Sequence, residues 1–206
     1  MSRPTPPVDD AGHVEGSLET RAVLLAADWV RDGRRVDMQG LATELGVSRV
    51  TLFRHAGGRE ALLGAALWQL TARTFALAER RAERPAAGRS HAVEVMRVFN
   101  QLVSSAPGLR RLLDEEPALA IRILTDPRGA VQPGVVAQIE ALLRRDADSG
   151  LELLIEPGAL AFALVRLGES FLYADALASR PPDVHTADRL QRAIIEGAGR
   201  VTGEQS

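Results

Sequence analysis

Residues Asp37 to Leu63 read DMQGLATELGVSRVTLFRHAGGREALL, and this stretch lays out two short helices, a tight turn and a small basic patch in one unit. Asp37 is a good N-cap. Met38, Leu41, Ala42 and Leu45 follow at helical spacing, one apolar stripe on a helix of about two turns. Gly46 suits the left-handed conformation that ends a helix, Val47 plugs the space between helices, and Ser48 caps a second helix over roughly Arg49 to Ala56. On that helix Val50 and Phe53 are expected to face the core, leaving Arg49, Thr51, Arg54 and His55 to point elsewhere. From Gly46 to Arg59 there are three arginines and no carboxylate. A short, cationic, acid-free helix suits approach to a phosphate backbone, because each neutralised phosphate releases counterions. Gly57 and Gly58 break it, and Arg59 opens the next helix, at whose N-terminus backbone N–H groups also favour an anion.

Residues 18 to 65 resemble the helix-turn-helix of the TetR family of bacterial repressors: a first helix, a support helix, the turn, a recognition helix and a long connector. The resemblance places Arg49, Val50 and Thr51 where side chains meet bases or phosphates, and His55 and Arg59 where phosphate contacts are usual. Gln39, Ser48, Phe53 and Arg54 complete the candidate DNA-binding set. The chain departs from the family pattern at Phe53, where a tyrosine is usual, at Ala56, which replaces an aromatic, and at Asp37, which replaces a hydroxyl cap. The competing reading is a helical protein-interaction module whose basic helix binds an acidic partner instead of DNA.

The 206 residues exceed one small DNA-binding module, so most of the chain beyond residue 65 must do something else. A formal charge of −2 excludes a bulk nucleic-acid coat; binding must come from a local patch. With no cysteine, disulfides and thiolate metal sites are unavailable. All 25 basic residues are arginine, a bias in keeping with GC-rich coding. No uninterrupted apolar run approaches the roughly 18 residues of a membrane span, and the start, MSRPTPPVDDAGHVEG, lacks a signal core; a cytoplasmic protein with no membrane partner is expected.

Residues 1–16 read as a disordered arm, in which Arg3 alone is thin support for a minor-groove contact. Ser17 to Val30 form the first helix, with Leu18, Ala22, Val23, Ala26, Ala27 and Val30 inward, closed by Asp32-Gly33. Beyond Leu63 the period runs through Leu67, Leu70, Thr74 and Leu77 toward Arg81 and breaks at Pro85 to Gly88. Ser90 caps a helix carrying Val93, Val95, Met96, Phe99 and Val103, which Pro107-Gly108 ends. A short segment follows, Leu109 to Asp114, then helices from Pro117 to Leu124 and from Gln132 to Arg145. Period-two alternation is nowhere sustained. The expected fold is all α, with a helix-turn-helix domain at 17–64 and a helical ligand-binding and dimerisation domain at 65–202.

Pro157 to Ala178 reads as one continuous helix, apolar around its circumference, so it must be covered on most sides. Its small residues Ala161, Val165 and Gly168 form a stripe that lets another helix approach. After Pro181-Pro182, Thr186 or Asp183 caps a last helix to about Val201, with Leu190, Ala193, Ile194, Ile195 and Ala198 inside. The resemblance implies that these two helices pair with their copies in a homodimer. A two-fold reader then recognises an inverted-repeat operator in double-stranded DNA.

Arg166, Glu169 and Tyr173 form a polar stripe on that apolar helix, either a buried ion pair or the polar end of a cavity. In the second case Arg166 or Tyr173 orients a polar head, Arg122 serves the same end, and Met96, Phe99, Ile121, Leu124 and Phe162 wall an apolar tunnel. EEPALAIRIL (115–124), GALAFALVRLGESFLYAD (158–175) and PPDV (181–184) make the body, roughly residues 90 to 200, similar to the quorum-signal-degradation (QsdR-type) regulators within the TetR family. That resemblance implies a ligand-responsive repressor whose effector is a hydrophobic acyl or lactone compound. No resident cofactor and no metal are expected. The four histidines are scattered, and there is no H-x-x-x-H, G-x-S-x-G or phosphate loop, so no catalytic residues are assigned.

Overall fold

The computed structural model describes residues 16–83 and 90–201. The arm, Arg3 and the Pro85–Gly88 break lie outside these residues, apart from Gly16. Eleven helices follow one another in the described chain: α1 (Leu18–Arg31), α2 (Met38–Glu44), α3 (Arg49–Ala56), α4 (Arg59–Arg81), α5 (His91–Ser104), α6 (Pro107–Glu115), α7 (Pro117–Thr125), α8 (Val131–Asp148), α9 (Pro157–Leu172), α10 (Ala174–Ala178) and α11 (Val184–Ala198). The only strands among the described residues are β1 (Leu151–Leu153) and β2 (Gly199–Val201), an antiparallel pair that ties the end of α11 to the α8–α9 connection. The all-α fold is therefore present, with one short strand pair that the sequence reading did not anticipate.

Helix starts follow local chemistry. The Ser17 hydroxyl accepts from the Thr20 N–H at 3.2 Å, the Asp37 carboxylate from Gly40 at 2.7 Å and the Ser48 hydroxyl from Thr51 at 3.0 Å, each satisfying an N–H that the first turn leaves unpaired. Gly46 ends α2 with φ +70°, as a left-handed C-terminal glycine should. Asp183 caps α11, accepting from the N–H of Thr186 at 2.9 Å. At the start of α5, Ser90 is joined by a long-range partner: Asp146 on α8 accepts from the Ser90 hydroxyl at 2.5 Å and from the N–H groups of His91 and Ala92.

One core cluster joins α1, α2, Leu52 of α3 and the first turns of α4 to Leu113, Ala120, Ile123, Leu124, Val131, Leu172 and Tyr173. The second packs the far half of α4 against α5, α8, α9 and α11 around Phe75, Phe99, Leu143 and Leu164. The core of the N-terminal helices thus continues into α6, α7 and α8 and does not stop at residue 65. At 23 residues, α4 runs about 35 Å through both clusters. Its length and composition would suffice for a membrane span, contrary to the expectation that no segment would qualify, yet Leu62, Leu63, Ala66, Leu67, Phe75 and Ala78 are buried against neighbouring helices.

Glycine permits two close crossings. A Cβ on Gly134 of α8 would collide with the Trp68 ring on α4, and one on Gly108 of α6 would collide with the Val30 carbonyl at the end of α1. The stripe Ala161, Val165, Gly168 is buried within the chain, where a Cβ on Gly168 would lie 2.9 Å from Gln191 Nε2 of α11. The close approach it allows is therefore intramolecular. The expected helix from Pro157 to Ala178 is interrupted: α9 stops at Leu172, Tyr173 adopts φ −113° and ψ 24°, and α10 starts anew.

Candidate functional site

The short helix α3 buries one large side chain, Leu52, which is 0% exposed. Val50 and Phe53 are 76% and 61% exposed, so the expectation that they face the core is corrected. Over eight residues the anchor is the single leucine between them, and the two larger apolar groups flank it on the open side. Gln39, Ser48, Arg49, Arg54 and His55 are exposed as well, and Thr51 is half-buried with its hydroxyl 2.8 Å from that of Ser48. Arg49, Arg54 and His55 have no ion pair among the described residues, whereas most arginines elsewhere in the described chain do. The outer face of α3 is therefore cationic, unneutralised and studded with two apolar groups.

Arg59 behaves differently from the phosphate contact expected of it. Its guanidinium forks onto Glu116, with Nη1 donating to Oε2 at 2.9 Å and Nη2 to Oε1 at 2.6 Å, while Nε donates to the Val36 carbonyl at 2.5 Å. Arg35 adds a third donor to the same carboxylate at 3.3 Å. The Arg59 fork, outweighing the cost of partial burial, holds the Glu116 carboxyl below its ordinary range. The corner between α6 and α7 is thereby bolted to the root of the helix-turn-helix.

A cavity of about 370 Å³ lies between α4, α5, α8 and α9. Leu67 and Leu77 of α4, Met96 and Phe99 of α5, and Val135 and Ile139 of α8 give it apolar walls, and Val30, Pro107 and Gly108 close the end toward α1 and α6. At its polar part, Gln132 Nε2 donates to both oxygens of Glu169, at 3.0 and 3.2 Å, and Arg166 reaches Oε2 from outside at 2.5 Å. Burial, only partly countered by these partners, raises the Glu169 pKa above its ordinary value. Burial and the neighbouring Glu169 charge push the Tyr173 phenol up as well, so it stays a neutral donor. Asn100 and Gln191 also line the space, but Asn100 Nδ2 donates to Gln191 and Asp188, both at 2.8 Å, and Gln191 Nε2 to the Leu164 carbonyl at 2.9 Å. The site has the composition of a small-molecule pocket, apolar with a few placed polar groups.

Residues 87–196 match the family model described as the tetracyclin repressor-like C-terminal domain. The structure of the R. erythropolis transcriptional repressor QsdR, from the TetR family, is 31% identical, superposes with a TM-score of 0.79 and is matched over 91% of this chain and 98% of that one. This chain belongs to the TetR family. As a TetR-family member it is a DNA-binding, ligand-responsive regulator of transcription. The TetR-family repressor AlkX of Dietzia sp. strain DQ12-45-1b shares the fold at 21% identity, with a TM-score of 0.61 over 91% of this chain and 97% of its own. So does SmeT, solved in complex with triclosan, at 14% identity and a TM-score of 0.53 over 93% and 95%. Among curated proteins no match was found.

The cavity of this TetR-family chain gathers Met96, Phe99, Leu124, Glu169 and Tyr173 from the sequence-derived set. Four others fall outside its lining. Phe162 is 53% exposed on the outer face of α9, Ile121 packs on the first core cluster, and Arg122 forks onto Glu60 of α4 at 2.7 and 2.8 Å. Arg166 stands on the outer side and touches the site only through Glu169. Sequence reasoning missed the α4 wall, Gln132, Asn100 and Gln191. Gln132 did leave a signal, being a polar residue one turn before Val135 and Val136 on the inner side of its helix.

Proposed function

We propose that this chain is a homodimeric repressor that holds an inverted-repeat operator through α3 and leaves it when a hydrophobic acyl or lactone effector enters the cavity. In this reading residues 17–64 are the reader and 65–202 the body, the protein works in the cytoplasm beside its DNA, and it catalyses no reaction. Arg49, Val50, Thr51 and Phe53 meet the major groove, and Gln39, Ser48, Arg54 and His55 meet its flanks. The similarity to QsdR supports repression. The apolar walls support an effector with an alkyl or acyl chain, and a space of 370 Å³ takes on the order of a dozen water-sized groups.

The observation that carries the reading is the placement of α6. Pro107 and Gly108 at its N-terminal end close the cavity, with Gly108 pressed on the α1 backbone, while Glu116 just past its C-terminal end grips Arg59 and Arg35. One rigid helix of nine residues therefore touches the effector space and the root of the reader. A ligand that needs α6 displaced shifts the start of α4 and the spacing of the two α3 helices in a dimer. It acts only as far as it prefers the displaced state; each 1.4 kcal/mol or so of preference lowers operator affinity tenfold.

The test is fluorescence anisotropy of bound operator DNA during titration with medium-chain acyl amides, lactones and esters, with calorimetry on the same compounds. The reading predicts that compounds bound by the protein release the DNA. Compounds that bind tightly and leave operator occupancy unchanged would contradict it.

A further inference from the structure

The polar part of the cavity is asymmetric in charge. Glu169 is 8% exposed and is the one ionisable carboxylate in the lining; its oxygens are oriented by Gln132, and its counter-ion Arg166 approaches from outside the lining. The two cations of the lining, Arg31 and Arg73, are exposed, and Arg31 is already paired with Asp28 and Asp32. Tyr173, one turn further along the chain, is 8% exposed, lines the same space, and its hydroxyl has no hydrogen-bond partner among the described residues. That hydroxyl is free to donate to a guest that enters the cavity, which is lined by Tyr173 itself. Asn100 and Gln191 are already engaged with each other and with Leu164 and Asp188.

From this arrangement we infer that the effector is an uncharged amphiphile whose head both accepts a hydrogen bond from the Tyr173 hydroxyl and donates one to the Glu169 carboxylate, as a primary or secondary amide or an alcohol does, and that carboxylates are rejected. The inference rests on the cavity being the effector site and narrows its ligand class. An anionic head placed at Tyr173 lies beside the Glu169 charge in a poorly solvated space, and the two cations that act there, Arg110 and Arg166, are already engaged with Asp175 and Glu169. An ester or simple lactone satisfies Tyr173 but offers no donor to Glu169. A carboxylate can avoid Glu169 only by staying at the exposed arginines, which leaves the phenol without an acceptor.

The experiment is isothermal calorimetry at neutral pH, without DNA, using decanamide, methyl decanoate and decanoate on the wild-type chain and on Glu169→Gln and Tyr173→Phe. Wild type should bind decanamide on the order of tenfold or more tighter than decanoate, with methyl decanoate between. Glu169→Gln should raise decanoate affinity and bring the ratio toward one; Tyr173→Phe should weaken decanamide and methyl decanoate together. Should Glu169→Gln fail to fold by circular dichroism, the wild-type ratio and Tyr173→Phe still decide. Decanoate binding as tightly as decanamide overturns the charge selection and leaves the cavity as effector site intact. Failure of all three to bind overturns both.

Discussion

Arg49 and Arg54 have no carboxylate partner among the described residues, and unpaired guanidinium groups on an exposed helix of eight residues are available to phosphates and base edges alike. Arg49→Ala is expected to cost about 1–3 kcal/mol in specific operator binding, as a lost base-edge contact does, while leaving the helix content unchanged. Arg54→Ala is expected to reduce the slope of log K against log salt by about 0.9, the value for one phosphate. Salt-dependent anisotropy on the two variants checks both. Glu116 gives a pH prediction. Its pKa is depressed when folded, so the latch adds stability above the ordinary glutamate value of 4.5 and loses it as pH falls through the lower folded value. Glu116→Gln should therefore be less stable than wild type near neutrality, by about 2 kcal/mol for charge-assisted bonds, and the gap in thermal melts should close toward pH 3. An unchanging gap would mean the ion pair is not what the variant removes. The residue scale is also where sequence was least legible. Arg59 looked like a phosphate ligand because its partner lies 57 positions away, and no local pattern announces such a pair. Arg166 and Glu169, three apart on one helix, were legible as a pair for the opposite reason.

Elements were readable wherever their ends are set locally. Ser17, Asp37, Ser48 and Ser90 mark helix starts from sequence because a capping oxygen three residues before an N–H needs no tertiary context. The break at Tyr173 was hidden, since the apolar pattern runs on through it. The strand pair was hidden too, since three residues are too few to alternate visibly. The faces of α3 are not legible in sequence, because a helix of two turns offers too few apolar positions to separate core from surface. For α6 the close crossing is the working feature. Gly108→Ala places a methyl against the Val30 carbonyl, so α6 must move from α1 for the chain to fold. The expected result is a loss of about 1–3 kcal/mol in denaturant unfolding, as for other overpacked sites, together with weakened operator binding in the absence of effector. Wild-type DNA affinity in a destabilised Gly108→Ala protein would separate α6 from the switch. The cavity makes its own demand: within a homologous amide series, each added methylene should tighten binding by about 0.8 kcal/mol, close to fourfold, until the space is full.

At the scale of the molecule the proposed homodimer is expected to cover the outer faces of α9 and α11. They leave Phe162 53% and Leu190 40% exposed in the single chain, although both helices are packed on each other through their opposite faces. Phe162→Glu is expected to yield monomers by sedimentation and to abolish tight operator binding, because one α3 reads only half a site. Persistence of the dimer would move the interface elsewhere. In the proposed dimer the recognition helices are expected about 34–36 Å apart, one turn of DNA, or a multiple of that. The central claim is that α3 reads a specific duplex as one of a symmetric pair. The most direct measurement is selection of bound sequences from random double-stranded DNA by the full-length protein, with Arg49→Ala run in parallel. The account predicts enrichment of an inverted repeat by the wild type and its loss in the variant. Equal recovery of unrelated sequences by both proteins would contradict it.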